Sequence, residues 1–231
     1  MSFMERSINE IREKIAAAAN RSGKSGEDIE LVAVSKTAGP EQVREAFSLG
    51  LRRFGENRVQ ELARKREMLA DIDITWDCIG QLQKNKVKYT VGNVDLIQSV
   101  DRLDLAAQIQ RVAERLNVVQ GVLMEINIGE EASKGGIEPD MAEEFANQIA
   151  DYPNIELRGI MCIPPFMPQE EARPYFRRMK ELYLRISDSP AGDKLRWLSM
   201  GMSGDYETAI EEGSNMVRIG TAIFGQRIYT G

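Results

Sequence analysis

Apolar residues recur along this chain in two alternating rhythms. Ile8, Ile11 and Ile15 are spaced by three and four, as on one face of a helix, and Glu10 stands four residues before Lys14 on the polar side. Leu31 to Lys36 (LVAVSK) is a short β-branched run that reads as a strand, and Pro40 opens a helical stretch that Gly50 stops. The alternation continues with a strand at Phe54-Gly55, a charged helix from Arg58 to Met68, a strand from Thr75 to Ile79 and a short helix from Lys84 to Val91. A strand from Leu96 to Val100 follows, then a helix from Asp101 to Leu116. Further strands are read at Gly121 to Ile128, Ile155 to Ile163, Leu195 to Met200 and Met216 to Ile219. Helices start at Pro139 and span Glu170 to Ile186 and Asp205 to Glu212.

Strands that alternate with helices predict an α/β protein with a parallel sheet. Eight such units in 231 residues fit a (β/α)8 TIM barrel preceded by one extra N-terminal helix. An open doubly wound sheet is the alternative, but no Gly-x-Gly-x-x-Gly follows a strand. No linker or low-complexity tract interrupts the pattern, so residues 1–231 read as a single domain.

Charge and residue usage narrow the function. Asp+Glu is 36 against Lys+Arg 30, a net charge of −6, which argues against nucleic-acid binding. There is no histidine, which excludes Ser-His-Asp and Cys-His catalysis and any His-ligated zinc. The two cysteines, Cys78 and Cys162, lie in apolar strand-like runs and are expected to be buried free thiols in a reducing compartment. No apolar run approaches the ~20 residues of a membrane span. The charged N-terminus lacks the apolar centre of a signal peptide, so a cytoplasmic protein is expected.

In a barrel the ligand site lies at the C-terminal ends of the strands. Alternation along LVAVSK puts Val32, Val34 and Lys36 on one face. If that face is inward, Lys36 reaches the barrel mouth, partly desolvated and able to attack a carbonyl as the neutral amine. Read alone, it is equally a surface lysine at a strand end. Arg218 stands inside the apolar run MVRIGTAIFG, where a guanidinium needs a partner or ligand. Gly220 and Thr221 follow it, offering bare N–H groups and a hydroxyl to a phosphate. The preceding unit repeats the arrangement, with Ser203 and Gly204 in a turn and Asp205 as the cap of the next helix. Either loop could instead be a tight turn without a ligand, but phosphate sites in barrels are commonly built after strands seven and eight.

Asn57 ends the second strand, where it touches a planar ligand or makes an Asx turn. Gly80 permits close backbone approach. Ser133-Lys134-Gly135-Gly136 is a mobile basic loop near the mouth or a solvated turn. Met124, Met161, Met200 and Met202 read as core or pocket lining, and Arg64-Lys65-Arg66 as a solvated helix face.

The motifs LVAVSK, FGENRVQE, IGQLQKNK, SKGGI, LSMGMSGDYETAI and VRIGTAIFG, in that order, resemble the pyridoxal phosphate homeostasis protein family, which is similar to the N-terminal barrel of alanine racemase. The resemblance covers nearly the whole chain. It implies a barrel that binds pyridoxal 5'-phosphate (PLP) as a Schiff base on Lys36. Ser203, Gly204, Gly220 and Thr221 would hold the phosphate, Asn57 would lie near the ring, and Arg218 would face the pyridine nitrogen and weaken the cofactor as an electron sink. One departure is visible: Asp77 follows the tryptophan of the third strand, where the family often has histidine.

Racemisation on such a cofactor needs an acid/base on each face of the substrate Cα, and racemases take the second from a β-rich domain for which this chain has no sequence after its eighth strand. The expected function is therefore binding, buffering and delivery of PLP, with apo PLP-dependent enzymes as acceptors and the protein a monomer. A PLP-dependent racemase or lyase of low activity, and a cofactor-free Schiff-base aldolase, are the rival readings.

Overall fold

The computed structural model describes residues 2–131 and 135–225. The elements run α1 (Phe3–Arg21), β1 (Glu30–Val34), α2 (Pro40–Ser48), β2 (Arg53–Glu56), α3 (Val59–Met68), β3 (Thr75–Cys78), β4 (Leu96–Val100) and α4 (Leu103–Leu116). They continue with β5 (Gln120–Ile126), α5 (Ala142–Ala150), β6 (Ile155–Cys162), α6 (Arg173–Ser187), β7 (Trp197–Ser199), α7 (Tyr206–Glu211), β8 (Met216–Ile219) and α8 (Thr221–Phe224). The strands pair in chain order, all parallel, and β8 closes on β1 with Val32 opposite Arg218. The (β/α)8 barrel read from the alternation is the fold.

Side-chain parity sorts the core into an inner and an outer layer. Val32, Leu96, Leu123, Met161, Trp197 and Met216 fill the barrel interior. Ala33, Phe54 and Trp76, one residue off that parity, pack outward with Ile8, Ile11 and Ile15 of α1. That helix begins with a reciprocal cap: Glu5 N donates to Ser2 Oγ at 3.1 Å and Ser2 N donates to Glu5 Oε2 at 3.2 Å. Its apolar stripe lies over α7 and α8, against Tyr206, Ile210 and Ile223, and so covers the outside of the barrel beside the β7–β8 loops.

Two helices differ from their reading. Lys84–Tyr89 winds as a 3-10 helix, as short polar segments do when few intrahelical bonds are available. Asp205 does not cap α7 with its side chain. Its carboxylate accepts from Met202 N at 2.6 Å and closes the turn before the helix instead. Cys78 and Cys162 are buried free thiols, and burial pushes both up to about 12, so neither is a nucleophile near neutral pH. Among the described residues no helix is long and apolar enough to cross a membrane.

Candidate functional site

Lys36 is exposed at the mouth, in the turn after β1. Val32 is buried in the interior and Val34 shares its parity, so the inward face is the expected one. The partial desolvation expected of Lys36 is not found, because the strand ends at Val34 and the turn lifts the side chain into solvent.

What holds this turn is a buried ion pair beneath it. Ser35 is fully buried. Its hydroxyl donates to Glu56 Oε1 at 2.6 Å, its carbonyl accepts from Lys65 Nζ at 2.7 Å, and Lys65 and Glu56 form a short ion pair. Lys65 is therefore no part of a solvated face: its side chain is only 3% exposed. The signal was present, since Val59, Leu62 and Lys65 fall on one face of α3 and Leu69 continues the spacing just past its end, and the other three are buried apolar residues.

The seam between β1 and β8 carries the next group. Arg218 is 4% exposed and donates through Nη1 to Ser199 Oγ at 2.6 Å and through Nη2 to the Cys162 carbonyl at 2.8 Å. Burial lowers its pKa, opposed by the charges of Asp205 and Glu125. Two residues on, Gly220 lies against Val34. A Cβ there would stand 3.0 Å from the Val34 carbonyl oxygen and 3.2 Å from its Cβ, so the strand end is left as bare backbone. Thr221 is exposed beside it.

The two loops that were read separately meet. Ala222 N donates to Ser203 Oγ at 3.4 Å, which joins the turn after β7 to that after β8. Gly204 is exposed, and a Cβ on it would meet nothing within 4 Å. A cleft of about 260 Å³ borders Ser203, Gly204 and Ala222 and extends to Ser7, Glu10 and Lys14 of α1. Asn57 is exposed at the end of β2. Since Val34 pairs with Gly55, Lys36 and Asn57 lie two residues past that pair on neighbouring strands. Gly80 is pressed against the Asn57 backbone, where a side chain would not fit.

Of the stretch from Ser133 to Gly136 after β5, the two glycines are described, and both are closely packed. Gly136 has φ +112°, and a Cβ there would stand 2.6 Å from Asn127 N and 2.9 Å from the Ile126 carbonyl carbon; at Gly135 it would stand 2.6 Å from Gln81 Nε2 and 3.1 Å from Asp101 Oδ2. Both serve close packing next to the Ile126–Ile137 bridge. Ser133 and Lys134 lie outside the described residues.

Two acids inside the barrel were missed by reading strand ends alone. Glu125, on β5, is half-buried and its Oε2 has no hydrogen-bond partner among the described residues. Burial and the charge of Asp101 push it up to about 7, against the pull of Arg218. Asp77 is fully buried on β3, holding Arg53 Nη1 at 2.7 Å and Gln98 Nε2 at 2.8 Å. Burial pushes it up to about 7 despite both donors.

An amine, a buried guanidinium, hydroxyls and bare backbone thus surround the end of the β1–β8 seam. Fold and site define a (β/α)8 barrel whose mouth gathers cationic and hydrogen-bonding groups. Residues 7–228 match the model of the alanine racemase N-terminal domain. The chain is 46% identical over 230 residues to the pyridoxal phosphate homeostasis protein of Aquifex aeolicus, covering 99% of this chain and 100% of that one. It is 41% identical over 240 residues to the protein of the same name from Escherichia coli K12, covering 100% and 99%. PipY of Synechococcus elongatus PCC7942, solved with PLP bound, superimposes with a TM-score of 0.84 at 30% identity, covering 96% of this chain and 100% of that one. The chain belongs to the pyridoxal phosphate homeostasis proteins, within the alanine racemase N-terminal-domain family.

Proposed function

We propose that this protein binds PLP at the mouth of its barrel and keeps it available to other proteins, a homeostatic role rather than turnover of a substrate. The observation that carries the reading is the join between Ser203 Oγ and Ala222 N, because it brings both phosphate-type loops to the strand end next to Lys36. The residues fit the group chemically. Gly220 leaves backbone where a Cβ would meet Val34, and Gly204 leaves open space. Ser203 and Thr221 supply hydroxyls, and the exposed Lys36 supplies an amine.

The aldehyde of PLP supplies reversible covalent chemistry with amines when it is bound. Lys36 presents that amine, and the Ser35–Glu56–Lys65 cluster fixes the backbone from which it projects. Ser203, Gly204, Gly220 and Thr221 orient the phosphate. Asn57 would lie beside the ring, and Arg218 would face the pyridine nitrogen. An arginine retains its proton, so it does not accept one from the ring or stabilise a protonated ring. Lys36 sits in solvent, so amines from outside have access to the same carbon, as release to an apo-enzyme requires. We further propose one barrel domain acting as a monomer in the cytoplasm.

The absorption spectrum of protein incubated with PLP, followed by mass spectrometry of the borohydride-reduced form, tests the reading. A visible band and a pyridoxyl adduct on Lys36 are expected. An adduct on other lysines with Lys36 unmodified overturns the assignment.

A further inference from the structure

Arg218 is tied to the middle of the barrel by an unbroken line of buried hydrogen bonds. Its Nη1 donates to Ser199 Oγ at 2.6 Å, Ser199 Oγ donates to Gln98 Oε1 at 2.9 Å, and Gln98 Nε2 donates to Asp77 Oδ2 at 2.8 Å. The line crosses from β8 through β7 and β4 to β3, and all its side chains are buried. Beyond it, Asp77 Oδ1 accepts from Arg53 Nη1 at 2.7 Å, Arg53 Nη2 donates to Asp95 at 2.8 Å, and Arg158 Nη1 donates to Asp95 at 2.9 Å.

Each link has a direction. Ser199 has one proton to give, and Gln98 has a distinct oxygen end and nitrogen end. With Arg218 donating at one end and an ionised carboxylate accepting at the other, every group is used in its own sense. A proton on Asp77 puts a donor against Gln98 or Arg53. Relief requires the Gln98 amide to turn, which presents its NH₂ to Ser199 and removes the acceptor of the Ser199 proton. The bond between Ser199 and Arg218 is then remade.

We propose that Asp77 is a positioning residue for Arg218, acting through Gln98 and Ser199, so that the guanidinium at the barrel mouth follows the charge on β3. Its consequence for a bound ligand rests on the reading that Arg218 faces PLP; the relay itself does not.

The groups around both ends define the pH behaviour. Asp77 is faced by Arg53 from β2, Gln98 from β4 and the charge of Asp95 just before β4, while Glu30 of β1 shares Arg53 at 3.8 Å. Arg218 is faced by Ser199 from β7, the Cys162 carbonyl from β6, and the charges of Glu125 from β5 and Asp205 before α7. Asp77 and Glu125 are both held near 7, so the test must separate them.

The ¹⁵N resonances of the Arg218 side chain, followed against pH in the ligand-free protein, make that separation. A shift centred near neutrality is expected in the wild type, retained in Glu125→Gln and lost when Asp77→Asn is added to Glu125→Gln. Ser199→Ala in the same Glu125→Gln background interrupts the relay while leaving the Asp77–Arg53 pair in place, so it gives the same loss even if Asp77→Asn fails to fold. PLP affinity should fall about threefold to tenfold in Ser199→Ala, the scale of one buried hydrogen bond. A pH response that survives in the double variant Ser199→Ala/Glu125→Gln, or that Glu125→Gln alone abolishes, overturns the relay. If instead Arg218→Gln leaves PLP affinity and spectrum unchanged, the placement of Arg218 against the ligand has failed, and the ligand-free resonances still decide the relay.

Discussion

The Lys65 ammonium donates to the backbone carbonyl of Ser35 at 2.7 Å, one residue before the exposed Lys36. A helix on the outside of the barrel thus reaches through to hold the turn that carries the candidate amine. Lys65→Met should be costly, because it leaves Glu56 buried without its counter-charge. A loss of about 3–5 kcal/mol is expected in urea unfolding. The double variant Lys65→Met/Glu56→Leu should recover much of that loss. A double variant no more stable than the single one would show that packing, not the stranded charge, sets the cost.

Lys36→Ala should behave in the opposite way. The side chain is exposed, so unfolding free energy should change by no more than ~0.5 kcal/mol. The visible band with PLP should vanish all the same. A large loss of stability would mean that Lys36 supports the fold.

Thr221→Ala removes one hydroxyl from the loop after β8. If that hydroxyl meets a phosphate, PLP binding should weaken by ~1.5–3 kcal/mol, the worth of a hydrogen bond to a charged group. Titrations of pyridoxal, which lacks the phosphate, provide the comparison. Equal effects of Thr221→Ala on both compounds would place the phosphate elsewhere.

Glu125 gives a stability prediction with a definite sign. Its folded-state pKa is raised from 4.5 to about 7. The unfolded chain therefore gives up this proton first, and the stability that Glu125 contributes is full below about 4.5 and is lost as pH rises towards 7 and beyond. Ligand-free Glu125→Gln should accordingly be more stable than the wild type at pH ~8, by about 1–3 kcal/mol, with the gap closing on acidification. Thermal melts across this range measure it. A constant gap would assign the effect to packing.

Phe166 stands wholly in solvent on the loop between β6 and α6, framed by Pro164, Pro165 and Pro168. Prolines restrict the backbone, so the ring is displayed with little entropy left to lose on docking. If apo-enzymes take PLP from this protein through a contact at Phe166, Phe166→Ser should slow that transfer without changing the affinity of this protein for PLP. Stopped-flow transfer kinetics provide the check, and an unchanged rate would remove Phe166 from the encounter.

The barrel was legible in the chain because each strand is a short β-branched or aromatic run whose neighbours are helices of the right period. Val32 and Val34 could be assigned to one face by parity, which stops applying to Lys36 where the strand gives way to a turn, and Arg218 stood out as a charge inside an apolar strand. The polar interior was not legible in the same way. Asp77 and Gln98 occupy alternate positions of short strands whose inward face is decided by closure of the barrel, and nothing local says that they meet. Lys65 was misread because its neighbours Arg64 and Arg66 carry charge as well, and the run conceals that the middle residue alone lies on the apolar stripe of α3. The loops at Ser203 and Thr221 were visible as small-residue turns, but their contact depends on the pairing of β7 with β8.

The pairing of Val32 with Arg218 has a consequence for how the protein comes into being. It joins β1 to β8, the earliest and latest of the eight barrel strands, and the candidate site straddles that seam. A growing chain that has already exposed Lys36 still lacks Arg218, Gly220 and Thr221, and it has no closed barrel to order the turn above Ser35. Capacity to hold the ligand should arise abruptly, once β8 has emerged. A truncated or stalled product would be unable to sequester PLP, whatever its content of the earlier motifs.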